Sequence, residues 1–259
     1  MMKNFFNLAF PVVMQTSLQR LIMLTNTIFA GQINDVNKLA GVGLANVFSC
    51  IALLTVIEGI NGALETLVSQ AYGFGQLQLC GVYFNRGRLV LTAIFIPLAI
   101  MLAYSYKILT FLGQDDLVSQ YASHYILITL PALYFYCMFD LTKRFLNCMT
   151  ITWVPMMAQL VATILHPFWC WFFAVKMEMS ILGIGLAYTI SQFILVAFVT
   201  VYASCLPQIS EAIQLPNSES LKGWGSYLKL GLPVMVMLWS EDLAFYGLTL
   251  LSGLISVQD

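Results

Sequence analysis

Charge is what this sequence has least of. Its 11 Lys/Arg and 12 Asp/Glu are only 9% of 259 residues, against about 25% in a soluble domain whose surface must be solvated. Apolar residues make up 60%. A chain this poor in charge cannot cover itself in water, so lipid must solvate much of its surface. The net charge of −1 and the lack of any Lys/Arg cluster leave no electrostatic footprint for nucleic acid. Cysteine is also sparse. Cys50, Cys80, Cys137, Cys148, Cys170 and Cys205 fall at irregular spacings with no CxxC pair and no Cys/His pattern, so they read as packing residues, and no metal or cofactor is expected. A cleaved signal peptide is not expected either. The first apolar segment begins almost at Met1, lacks a small-residue cleavage site and outruns the ~7–15-residue apolar core of such a leader.

What the sequence has instead is long apolar runs. A spanning helix needs about 20 mostly apolar residues. The stretches near 5–31, 39–72, 85–111, 118–141, 153–175, 179–204 and 225–255 meet that length. These seven runs predict an all-α polytopic membrane protein. The second and last exceed one bilayer thickness and should tilt or project. Pro11, Pro97, Pro131, Pro167 and Pro233 lie inside the runs, as neighbouring helices and waters permit in a membrane. Turn chemistry separates the runs at Gly73–Phe74–Gly75 and at Gly113–Gln114–Asp115–Asp116, and the longest polar stretch extends from Pro207 to Ser220.

Lys and Arg concentrate in cytoplasmic loops. Alternating sides along the chain, one side holds Lys3, Arg86, Arg88, Lys143, Arg144, Lys222 and Lys229, and the other Lys38, Lys107 and Lys176. Seven against three places the N-terminus and the 207–220 connection in the cytoplasm. Plasma and vacuolar membranes both stay open.

The two ends repeat one another. Leu8-Ala9-Phe10-Pro11-Val12-Val13 leads to Phe29-Ala30-Gly31, and Leu230-Gly231-Leu232-Pro233-Val234-Met235 leads to Leu251-Ser252-Gly253. Proline to glycine is twenty residues in each copy, and the copies are offset by 222 residues, spanning six helices. Repeated bundles of this kind build many transporters, with substrate and ion sites at the repeat interface. The repeat divides the chain into a six-helix lobe over 1–206, a cytoplasmic linker over 207–224 and the opening helix of a second, incomplete lobe over 225–259. The sequence reads as a partial product of a longer, two-lobe chain, in which the second lobe would normally follow.

A family resemblance rests on motifs in order along the chain. Phe29-Ala30-Gly31 and Leu39-Ala40-Gly41-Val42 flank the first turn. Glu65-Thr66-Leu67-Val68-Ser69-Gln70-Ala71-Tyr72-Gly73 follows at the end of the second run, with Gly113-Gln114-Asp115 after the third. Arg144-Phe145-Leu146, Leu165-His166 with Cys170-Trp171, and Leu250-Leu251-Ser252-Gly253-Leu254 complete the series. Together they resemble the multidrug and toxic-compound extrusion (MATE) transporters, in their eukaryotic branch. The resemblance implies two six-helix lobes around a cavity that opens alternately to either side. It implies an antiporter rather than an enzyme, exporting small organic, often cationic, compounds in exchange for protons or sodium. Within that pattern Glu65, Gln70, Gly73, Arg144 and His166 fall on structural motifs, and Glu241 matches the glutamate of the seventh helix.

Ionisable groups inside a membrane are costly, by about 2.5–3.5 kcal/mol at its centre, so each invites a functional reading. Glu241 lies eight residues past Pro233, near mid-helix, with Asp242 beside it. Adjacent helical positions differ by about 100°, so the two cannot share a face, and one is expected to meet a cavity. Glu241 is the expected coupling and substrate residue; the resemblance leaves Asp242 unexplained. One charge crossing 100 mV is worth about 2.3 kcal/mol and one pH unit about 1.4 kcal/mol, enough for a single carboxylate to support export against a modest gradient.

Gln19 is the first-copy counterpart of Glu241, and Asn26 stands where many bacterial relatives carry an acid. Asn cannot titrate, which moves the expected coupling site to the last helix. Asn26 either lines the cavity or makes an interhelical hydrogen bond. Glu58 and Glu65, seven apart, share one helical stripe. Glu65 is expected to pair with Arg86 or Arg88, while Glu58 is read as either cavity-lining or interhelical. Asp140 and Lys143 predict a local i,i+3 ion pair at the membrane edge. Arg20, mid-way along the first run, requires a carboxylate or a wet cavity.

Two alternatives stand beside the transporter. A seven-helix receptor fits the helix count, but a DRY-like triplet and NPxxY are both missing. A non-transporting fragment or structural membrane protein would fit the single complete lobe. A lipid-linked oligosaccharide flippase would carry more cations along its cavity.

Overall fold

A bilayer core offers no water to the backbone, so an apolar chain must close its N–H and C=O groups within helices. A computed structural model describes residues 2–213, 215 and 217–255, and the side chains of 6–213, 215 and 217–245. Among the described residues all regular structure is helical. The helices are α1 (Met2–Gly31), α2 (Val36–Ser49), α3 (Thr55–Gly73), α4 (Leu77–Ala103), α5 (Ser105–Phe111), α6 (Asp116–Cys148), α7 (Trp153–Cys170), α8 (Ser180–Ser204) and α9 (Trp224–Ile255). A π-helical turn at Cys50–Leu54 joins α2 to α3, another at Trp171–Lys176 extends α7, and a 3₁₀ turn covers Pro207–Ala212.

The expected runs are present, with shifted ends. The second is one rod of 38 residues, Val36–Gly73. At 1.5 Å per residue it spans roughly 57 Å, well beyond the ~30 Å hydrocarbon core. The third run begins earlier, at Leu77, and breaks at Tyr104 to start α5. The fourth continues to Cys148, so Asp140, Lys143 and Arg144 lie within α6. All five prolines sit inside helices.

Local chemistry sets the boundaries. Asp35 caps α2 by accepting from the amides of Asn37 and Lys38, and Asp115 caps α6 by accepting from Val118 N–H. Gly75 turns the chain out of α3 with φ at 72°, a left-handed conformation that glycine adopts without steric cost.

Helix α6 is the central post, packing against α2, α3, α4, α5 and α8. Leu53, Leu64, Leu91, Ile126, Leu141 and Phe145 are fully buried around it, and Phe84 stacks on Phe145 at 4.1 Å between centroids. Small residues bring backbones together, as is common where lipid supplies no hydrophobic drive. A Cβ added at Gly41 of α2 would lie 2.7 Å from Cβ of Tyr121 on α6.

Five helical rods among the described residues are long and apolar enough to cross a membrane: 36–73, 77–103, 116–148, 153–176 and 180–204. Helix α1 is not among them, since Gln15, Gln19, Arg20 and Asn26 dilute its apolar run. Large apolar side chains lie exposed on the outer faces, among them Phe10, Ile96, Ile164, Phe193 and Phe198. A charge-poor protein can keep such a surface only against lipid.

The described residues of the polar stretch after α8 pack against α4. Ile209 and Ala212 are buried against α4, and an added Cβ at Gly81 would meet the Ala212 carbonyl oxygen at 2.3 Å. Arg86 donates to the Glu219 carbonyl oxygen at 3.0 Å, while Tyr227 of α9 is buried beside Gly87.

Candidate functional site

Polar side chains gather at three places in this apolar bundle. The first lies between α1, α3 and α6. Asp140 is 2% exposed, and a buried carboxylate persists only when donors surround it. Arg144 Nε donates to its Oδ2 at 2.7 Å, Asn61 Nδ2 reaches the same oxygen at 3.1 Å, and Lys143 Nζ lies 2.9 Å from Oδ1. Arg144 Nη1 reaches on to Glu65 Oε1 at 2.8 Å. The fork of a guanidinium suits this double duty, holding one carboxylate on its own helix and one on α3.

Glu65 therefore pairs with Arg144, not with Arg86 or Arg88 as expected. The spacing explains why: the seven-residue stripe from Glu58 to Glu65 faces α6, while Arg86 turns to the 207–223 connection and Arg88 lies over the Phe84 ring. Asn61, on that same stripe, was not singled out from sequence. The Asp140–Lys143 pair forms as expected, but as one part of a buried cross-helix cluster. Glu58 accepts from the Tyr136 hydroxyl at 2.6 Å, and it lines a cavity of about 120 Å³ with Gln19, Arg20, Tyr136, Asp140 and Lys143. Gln19 is 8% exposed there, and neither of its amide atoms has a hydrogen-bond partner among the described residues.

The second place joins α1, α7 and α8. His166 is completely buried, with Nε2 at 2.8 Å from Asn26 Oδ1 and Nδ1 at 2.8 Å from Ser191 Oγ. The carbonyl oxygen of Asn26 sets the tautomer: Nε2–H donates, and Nδ1 accepts from Ser191. Cys170, one turn on, sits 3.4 Å from Nε2. Asn26 also borders a cavity of about 20 Å³ with Asn46, Tyr125, Thr129 and Tyr188. Removing it strands a buried imidazole N–H. Asn26→Leu is expected to lose about 1–3 kcal/mol of stability, the cost of an orphaned buried donor. A thermal melt of the purified protein checks this, and an unmoved midpoint would show that the bridge contributes nothing.

The third place is the middle of α9. Asp242 turns toward the long rod, where its carboxyl contacts the Thr55 hydroxyl, and Trp239 Nε1 donates to the Ile51 carbonyl oxygen at 3.1 Å. Glu241 lies on the exposed side of the helix. The two acids do occupy different faces, as helical geometry requires. Neither Thr55, which follows the π turn, nor Trp239, which reaches that turn from α9, was legible in the sequence, because the turn has no residue signature. Gln70 and Gly73 close α3: the Gln70 carbonyl accepts from Phe74 N–H at 3.1 Å, and Gly73 is exposed. Leu250 to Leu254 lie beyond the described side chains.

Comparison with known proteins bears on this arrangement. The MatE family model matches residues 11–172. The chain is 28% identical over 255 residues to Protein DETOXIFICATION 39 of Arabidopsis thaliana, covering 98% of this chain and 50% of that protein. It is 30% identical over 249 residues to Multidrug and toxin extrusion protein 1 of Danio rerio, covering 96% of this chain and 42% of that one. The solved eukaryotic MATE transporter AtDTX14 matches with a TM-score of 0.91 at 26% identity, over 97% of this chain and 56% of that chain. A MATE structure in a bent conformation shares the fold at a TM-score of 0.79 and 16% identity. The chain spans about half the length of the curated relatives it matches.

Proposed function

Since this chain belongs to the MatE family, we propose that it works as part of a secondary active antiporter. It exports small organic, often cationic, compounds in exchange for protons or sodium by alternating access. The observation that carries this reading is the family match across most of a bundle whose fold agrees with that of a eukaryotic MATE transporter. Residues 1–206 form one lobe, 207–224 a cytoplasmic connection, and 225–259 the first helix of a second lobe. The N-terminus lies in the cytoplasm. The receptor reading loses its support, since helix count alone favoured it.

In this reading Glu241 is the coupling and substrate residue. Two features support it: its exposure on α9, opposite the face that packs on α3, and its register with Gln19, each eight residues past a proline. Gln19, Glu58 and Asn26 border cavities of the first lobe and serve as polar lining. The expected result is that Glu241→Gln in the intact protein, reconstituted in liposomes, abolishes pH-driven movement of a fluorescent organic cation. Unchanged transport with an unchanged pH dependence would sink the assignment.

A further inference from the structure

Asp242 is the acid that the family pattern leaves without a role, and its surroundings suggest one. Thr55 Oγ1 touches two acceptors at once: the Asp242 carboxyl oxygen and the Cys50 carbonyl oxygen, the latter at 3.0 Å. A hydroxyl has one proton to give. If Asp242 is ionised, Thr55 can serve the carboxylate or Cys50, not both. If Asp242 is protonated, it donates to Thr55 and Thr55 donates to Cys50, and every contact in the chain is a hydrogen bond.

The place of this chain matters. Thr55 and Cys50 bound the π turn, whose closing bond runs from Thr55 N–H to the Cys50 carbonyl. One turn earlier on α9, Trp239 donates to Ile51 in that same π turn. Two side chains of α9 thus hold the one irregular turn in the 38-residue rod. Asp242 is half-buried, and no cation pairs with it among the described residues. The titratable groups on the packed elements are Cys50, whose Sγ is 3.9 Å from Thr55 Oγ1, Glu58 one turn along α3, Glu65 and Tyr72 farther along it, Cys80 and Tyr83 on α4, and Tyr227, Lys229 and Glu241 on its own helix. The cations of α4 lie elsewhere: Arg86 at Gly223, before the start of α9, and Arg88 over Phe84.

We propose that Asp242 is a positioning residue, a proton-dependent latch that fastens α9 to the π turn of the long rod when neutral and releases it when ionised. The sign follows from the groups present. The neutral acid completes a hydrogen-bonded chain within the helix seam. The carboxylate accepts the hydrogen bond of the Thr55 hydroxyl, which breaks the bond to Cys50, and draws water into an apolar seam with no cation to offset it. Protonation therefore favours the closed seam. This rests on the transporter reading only for its consequence, that seam opening accompanies the exchange of cavity access.

Hydrogen–deuterium exchange of the purified intact protein in lipid nanodiscs tests it, following backbone amides of residues 50–56 and normalising to the intrinsic rate at each pH. In the wild type, protection should fall about tenfold from the acidic to the alkaline end of a pH series. Asp242→Asn donates to Thr55 at every pH and should stay protected throughout. Asp242→Leu should be unprotected throughout. A wild type whose protection does not move with pH, or an Asp242→Asn protein that follows the wild-type profile, would overturn the latch. Glu241→Gln separates the two acids. It should keep the pH-dependent exchange of the seam even where it loses coupled transport, so failure of the coupling assignment leaves the latch standing, and the reverse holds.

Discussion

Asp140→Leu is expected to cost about 3–5 kcal/mol, the penalty for breaking a buried ion cluster by removing one partner. That is a large fraction of the total stability of a typical domain. Asp140 accepts from Arg144, Lys143 and Asn61. Leucine would leave Arg144 with Glu65 alone and Lys143 with no carboxylate among the described pairs. Both cations have side chains only 19% exposed, so water replaces the lost partner poorly. Asp140→Asn should cost less, since an amide oxygen still accepts from Asn61 and Arg144. Removing the cation as well should recover part of the loss, because apolar replacement of a whole buried pair is often near neutral. Thermal denaturation of Asp140→Leu, Arg144→Leu and the double variant, closed as a cycle, measures this coupling. Additive losses, or an Asp140→Leu protein that melts with the wild type, would show that the cluster does not hold α3 to α6.

Much of this cluster was legible before any coordinates. Charge scarcity and apolar run length dictate helices in lipid, and period 3.6 puts Glu58 and Glu65 on one stripe. The Asp140–Lys143 pair follows from local spacing alone. Partner choice across helices did not follow. Arg86, Arg88 and Arg144 all come near the same end of α3 in a two-dimensional topology, and only the rotation of α4 decides that Arg86 faces the 207–223 connection instead. Helix rotation is set by packing of apolar side chains and glycines, summed over whole faces, which no short motif encodes. The π turn is the same kind of case. Cys50–Leu54 is an unremarkable apolar run, and its extra residue per turn is stabilised by Trp239 and Asp242 from 188 and 187 positions away. The docking of the connection against α4 has no sequence signal for a related reason. Ile209 and Ala212 are two apolar positions in a polar stretch, too few to signal burial, yet they meet α4 at a glycine.

Glycines on the face of α3 give the second large effect, and its sign is informative. Gly→Ala within a helix usually stabilises, since glycine is about 1 kcal/mol less favourable than alanine. Gly43 of α2 has open space around its absent Cβ, so Gly43→Ala should raise the melting temperature. At Gly59 the same change should lower it sharply. An added Cβ there would lie 2.2 Å from Cα of Met235 and 2.7 Å from its backbone nitrogen. Backbone cannot swing aside as a side-chain tip can, so α9 must back away or α3 must bend. Overpacking of this kind costs about 1–3 kcal/mol, occasionally more, and leucine should exceed alanine. The same strain reaches other contacts: Gly62 lies 3.0 Å from Val234 by the same measure, and Gly231 lies 3.0 Å from the backbone of Ile60. Moving α9 should therefore also free Trp239 from Ile51 and Asp242 from Thr55, although neither residue is altered. Tryptophan emission from a variant in which Trp239 is the only tryptophan reads that release as a red shift on introducing Gly59→Ala, absent on introducing Gly43→Ala. If both alanines stabilise equally, the close approach of α3 and α9 is not a feature of the folded protein. If Gly59→Ala destabilises while Trp239 keeps its emission, the strain is absorbed within α3, and the two halves of the seam are mechanically separate.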